Sequence, residues 1–284
     1  MRKKVALQKG WSLQIATALL VMFPAFGCAH PGNDQVLAYL NTKLESGHTN
    51  QAFYIRRGRV YSEDGQFGPA LEDLNRAEQL GNPTKVAFEL GILFYRKGEF
   101  VKARTYFDTV LYAAPGNVAA LEYRARLLHD AGEYDDAIKD LANYLTLVDR
   151  PNPGHYILMA RMLSEPRLTR LATSPASDLG PALAALDQGI AQLGPTPQLQ
   201  QYAIKLELEQ NRLTQALARL ESLESTLGNS PQWKVQLGEL LLVLGETDRA
   251  RTHLEAAILQ LRTLKKTPAR QHLQTQASAL LEAS

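Results

Sequence analysis

The chain has 284 residues, 45% of them hydrophobic and 21% charged, with 31 basic against 29 acidic side chains and a formal net charge of +2. Enough apolar residue is present to exclude a disordered chain, and the near-balance of charge makes no case for nucleic-acid binding. A single cysteine, Cys28, excludes an intrachain disulfide.

Residues 1–27 stand apart from the rest. Arg2, Lys3, Lys4 and Lys9 form a basic start without an acid, residues 11–26 are uncharged and mostly apolar, and Pro24 ends the run. That order is the layout of a bacterial secretory signal, and the apolar run is short for a membrane span. Ala25-Phe26-Gly27-Cys28 resembles a lipobox, in which a signal peptidase cuts before a lipidated cysteine. Gly27 fits that pattern, Ala25 is acceptable, and Phe26 departs from it. Lipidation at Cys28 is the reading taken, and bacterial N-acylation adds a further chain, enough apolar area for stable anchoring. Ala25-x-Gly27 also resembles an ordinary signal-peptidase site, which leaves a soluble product. Loss of the four leader cations turns the net charge from +2 to −2, so the basic balance belongs to the leader.

The segment 28–50 carries Val36, Leu37, Leu40 and Leu44 on one helical face, with Asn33 or Asp34 able to cap it. It reads as a first capping helix. From residue 51 a register sets in. Gly58, Ala70 and Leu74 recur as Gly91, Ala103 and Phe107, then as Ala125, Ala137 and Leu141, spaced twelve and then four residues in each set. The sets start thirty-three and thirty-four residues apart. Small residues at the eighth and twentieth positions let two antiparallel helices approach closely. Larger ones fill the flanks: Tyr61, Phe94 and Leu128 at the eleventh position, and Phe67, Phe100 and Tyr134 at the seventeenth. Gly65, Gly98 and Gly132 at the fifteenth predict a left-handed helix end. Period and pattern match a helix-turn-helix repeat of ~34 residues. The chain thus resembles the tetratricopeptide repeat (TPR) family at 51–84, 84–117 and 118–151, with Pro115 also at the repeat-closing position.

The register continues more faintly. In 152–196, Ala160, Ala182 and Leu186 keep it, and Gly180-Pro181-Ala182-Leu183 echoes Gly68-Pro69-Ala70-Leu71. The extra residues fall at 164–179, where Pro166 and Pro175 predict an irregular surface insertion, with a lid or partner contact as the alternative. The stretch 197–264 holds two weaker copies. The first keeps Ala216 and Leu220 but has Ile204 and Asn211 in place of the two glycines. The second keeps Gly238, Gly245, Ala250, Leu254 and Ala257. In 265–284, Thr267 caps a last helix that starts at Pro268 and runs to about Glu282. The resemblance implies an all-α fold: a right-handed superhelical solenoid of antiparallel helix pairs, about six repeats with terminal capping helices.

Catalytic chemistry is not visible. No two of the six histidines stand at i, i+4, and no nucleophile elbow, phosphate loop or dinucleotide fingerprint occurs. We expect no catalytic residue, no metal and no cofactor, hence no enzyme. Arg57 and Asp73, like Arg124 and Asp140, stand sixteen residues apart on the two helices of one repeat, which predicts a bidentate salt bridge in each.

The resemblance also implies a partner-binding groove along the first helix of each repeat. Carried over, its lining is Ile55, Arg56 and Arg59, then Phe88, Glu89, Ile92 and Tyr95, then Glu122, Tyr123 and Arg126, with Glu63, Arg96, His129 and Asp130 continuing it. Aromatic and arginine residues of this kind are enriched in binding hot spots. Members that bind chaperone C-termini use lysines and asparagines where this chain has Ile55, Arg59, Glu89, Ala119 and Tyr123, so that peptide class is not implied. The expected function is a non-enzymatic scaffold or adaptor. It holds a protein partner in the groove, is anchored to the membrane by lipid, assists assembly of an envelope complex, and binds no nucleic acid. Ala29, where aspartate retains a lipoprotein at the inner membrane, favours the outer membrane facing the periplasm. The alternatives are a soluble periplasmic component of a secretion or polysaccharide-export system, and an enzyme or ligand receptor with the insertion over its groove.

Overall fold

A computed structural model describes residues 32–164 and 178–284. The leader, Cys28 and most of the insertion, 165–177, lie outside the described residues. The described chain forms fifteen α-helices and no strand, in two compact units.

The unit ending at Pro151 holds α1 (Asn33–Glu45), α2 (Gln51–Glu63), α3 (Phe67–Glu78), α4 (Pro83–Arg96), α5 (Phe100–Ala113), α6 (Val118–Asp130) and α7 (Tyr134–Leu147). Helices pair as α2 with α3, α4 with α5 and α6 with α7, and each pair packs on the next. Asn50, Asn82 and Asn117 start the first helix of each pair, their side-chain oxygens accepting from the amides of Phe53, Thr84 and Ala120. The turn inside each pair runs through Gly65, Gly98 or Gly132 at φ of 74°, 76° and 78°, where a side chain would be strained. Ala70, Ala103 and Ala137 are wholly buried against the facing helix. A Cβ added to Gly91 would stand 2.6 Å from Cε1 of Phe107, so a hydrogen is the largest group that this helix contact admits.

One expectation about α1 changes. Gly32 occupies the cap position and no side chain caps the helix. Asn33 is already helical, and its amide is drawn away to donate to Oδ1 of Asp64 at 2.7 Å.

The unit Asn152–Ser284 holds α8 (Pro153–Ser164), α9 (Gly180–Leu193), α10 (Pro197–Glu209), α11 (Leu213–Ser222), α12 (Glu224–Leu227), α13 (Pro231–Leu244), α14 (Thr247–Thr263) and α15 (Pro268–Glu282). Here α8 pairs with α9, α10 with α11 and α13 with α14. Asn211, in the glycine position of a turn, takes φ 56° itself, and asparagine is among the non-glycine residues that best tolerate it. Trp233 (3% exposed) anchors the later core by donating from its indole to the carbonyl of Leu220 at 2.8 Å. Helix α15 packs on α14 and α13, with Oγ1 of Thr267 accepting from the amide of Arg270 at its start. No helix of the described residues is long and apolar enough to cross a membrane.

Candidate protein-binding groove

Helices α2, α4 and α6 are the first helices of three consecutive pairs, and α4 touches both of the others. Their equivalent starts and stops bring side chains one repeat apart in sequence side by side in space. Arg59 of α2 lies over Glu89 of α4, with its Nε 3.1 Å from each carboxylate oxygen and its Nη2 bonded to Oε1 as well. Glu89 is buried at 4% exposure, whereas the Arg59 side chain is 51% exposed. The Glu89 hydrogen bond raises the guanidinium above its ordinary pKa and holds it charged on the rim. Nη1 of Arg59 donates to nothing among the described residues, leaving one edge of the fork open.

The next rung is aromatic. Tyr123 of α6 meets Phe88 edge-on at 5.7 Å and Tyr95 edge-on at 6.4 Å, and it stacks on Phe107 at 5.9 Å between ring centroids. The Tyr95 hydroxyl donates to Oδ2 of Asp130 at 2.5 Å. Burial first, and then Asp130, pushes this phenol far above its ordinary pKa, so it stays a donor. Arg126 pairs with Glu122 at 2.8 Å on its own helix and remains about half exposed. Arg96 donates to Oγ of Ser62 and lies 3.7 Å from Glu63.

Most of the residues carried over from the repeat pattern come together here, at different depths. Arg56 is exposed and unpaired among the described residues, and Ile55, Phe88, Tyr95, Glu122, Tyr123 and His129 are half-buried. Ile92 (6% exposed) and Glu89 lie beneath the surface, because α4 is flanked on both sides and its shorter side chains are covered. They form the floor under the strip rather than its open face.

The two salt bridges form as the spacing predicted. Asp73 accepts from Nε and Nη2 of Arg57 at 2.7 and 2.6 Å, and Asp140 accepts from the same atoms of Arg124 at 2.6 and 2.8 Å. Sequence reasoning missed the third arm. Nη1 of Arg57 reaches Asn41, and Nη1 of Arg124 reaches Asp108, each sixteen residues before the arginine. That equal spacing on the other side was the available signal. In the second unit the polarity is reversed: Arg219 of α11 joins Asp187 and Glu207, both at 2.7 Å, and Gln200. The lateral pairs Arg59–Glu89 and Tyr95–Asp130 also went unread, since their 30- and 35-residue separations connect neighbouring repeats. No three His, Cys, Asp or Glu side chains of the described residues are placed to hold a metal ion.

A stack of antiparallel helix pairs with a polar-aromatic strip on its first helices defines a helical-repeat protein. Residues 55–118 and 88–154 match the model of the tetratricopeptide repeat family. A TPR repeat-containing protein of Methanocaldococcus jannaschii is 33% identical over 78 residues, 27% of this chain and 14% of that protein. The C-terminal part of a TPR repeat-containing protein from Cytophaga hutchinsonii superposes with a TM-score of 0.61 at 10% identity, covering 82% of this chain and 92% of that one. Pseudomonas aeruginosa pilF is 16% identical, with 86% and 99% of the two chains covered and a TM-score of 0.48. TPR proteins act as protein-interaction scaffolds.

Proposed function

We propose that the protein is a non-enzymatic scaffold that holds a protein segment against the strip of Arg56, Arg59, Tyr95, Tyr123 and Arg126, and that Cys28 anchors it by lipid to the envelope so that it assists assembly of a complex there. The observation that carries the binding reading is the pairing of an exposed Arg59 with a buried Glu89. The buried carboxylate fixes a guanidinium at the surface and leaves its Nη1 without an acceptor among the described residues, an arrangement that lowers the ordering cost of gripping a partner. Tyr95 and Tyr123 beside it offer rigid amphipathic rings. The anchor rests on the basic-apolar leader and the lipobox resemblance ending at Cys28.

Two measurements test the proposal. Membrane fractionation of wild type and Cys28→Ser separates the anchored protein from a soluble periplasmic one: the variant is expected in the soluble fraction, and an unchanged distribution would remove the lipid anchor. Arg56→Glu/Arg126→Glu, which changes only exposed or half-exposed side chains, is expected to lose an envelope protein captured by wild type. Equal recovery of that protein would place its binding elsewhere.

A further inference from the structure

The end of the second unit carries a surface that the groove does not use. Leu259 of α14 is 66% exposed, although Leu254 and Leu261 on the same helix are buried. Beside it runs an open cleft of about 420 Å³, lined by Glu255, Ile258, Leu259 and Arg262 of α14 and by Ser278, Leu281 and Glu282 of α15. Glu255, Arg262 and Glu282 make no hydrogen bond or ion pair among the described residues. An apolar centre is therefore flanked by unspent charges of both signs.

Their order matters. Glu255 stands three residues before Ile258, and Arg262 stands three residues after Leu259. Residues 255, 259 and 262 share one face, at spacings of four and three. When α14 lies antiparallel on a copy of itself, with the axis between positions 258 and 259, Glu255 of one protomer faces the partner's Arg262. The two-fold repeats that pair on the other side of the axis, and Leu259 meets its counterpart between them. Self-complementarity of this kind is what an isologous contact requires. A face carrying charge of one sign would instead repel its own copy.

We propose that a second copy of this chain covers the cleft, giving a two-fold dimer through α14 and α15. Two strips in one assembly would then engage a repeated or multimeric partner with avidity.

Sedimentation equilibrium of the full chain, over roughly micromolar to 100 micromolar protein, tests this with charge reversal. Wild type is expected to show a monomer–dimer equilibrium. Glu255→Arg sets arginine against the partner's Arg262 on both sides of the axis and is expected to weaken dimerisation at least about tenfold, as is Arg262→Glu. Glu255→Arg/Arg262→Glu restores the pair with its sign exchanged and is expected to recover the dimer. Thermal melts followed by circular dichroism verify that all three variants fold. A wild type that stays monomeric throughout, a single reversal that leaves dimerisation unchanged, or a double reversal that fails to recover it would overturn the proposal.

Discussion

Arg124 and Asp140 share two hydrogen bonds but stand in different surroundings. The arginine side chain is 24% exposed and has Asp108 as a second partner, whereas the aspartate is 7% exposed, and both of its bonds come from Arg124. Removing either partner loses the two bonds they share, Arg124→Ala also loses the one to Asp108, and the two variants strand different groups. Arg124→Ala leaves a buried carboxylate without a donor, a penalty of about 1–3 kcal/mol and more for a charged group. Asp140→Ala leaves a guanidinium that still reaches Asp108 and water. Thermal melts should therefore rank Arg124→Ala below Asp140→Ala in midpoint, with both below wild type. Equal midpoints for the three would mean that the pair contributes nothing to stability, as happens for fully exposed bridges. The same geometry at Arg57 and Asp73, with Asn41 as the third arm, should repeat the ranking more weakly, because Asn41 is neutral.

Between helices, the pairing depends on how the eighth and twenty-fourth positions share space. Gly91 faces Phe107, whereas Gly58 faces Leu74, and Ala125 stands in the same register as Leu141. The added Cβ of Gly91→Ala would overlap the Phe107 ring, so the substitution should cost about 1–3 kcal/mol by overpacking. Phe107→Leu in that background frees the room and should recover part of the loss, which a double-mutant thermal cycle measures as a favourable coupling. Additive losses would show that the ring is not what excludes the methyl group. This level of the structure was legible from one chain, because small residues at fixed intervals and turn glycines have few physical explanations. Less legible were features set by a neighbour. Asn33 looked like a cap until Asp64 claimed its amide, and the second helix of the fifth pair breaks at buried Leu223 into α11 and short α12. A wholly buried Tyr156 fits only because position 189 is glycine, where a Cβ would stand 2.6 Å from the ring. None of these follows from the repeat period.

For the whole molecule, the repeat pattern could name positions on a groove but not their depth. Glu89 and Ile92 share a pattern with exposed neighbours, and only the packing of α4 between α2 and α6 reveals that they lie beneath the strip. The proposed binding surface is the outer layer, Arg56 to Arg126, and a protein partner is expected to touch it there. Site-specific photo-crosslinking in cells that make the protein is the direct test. A photoreactive residue placed at Arg56 or Arg126 should give one shared adduct with a second protein, and one placed at Lys139 on α7, which is 73% exposed, should not. Adducts of the same protein at equal yield from position 139, or none from 56 and 126, would contradict the account.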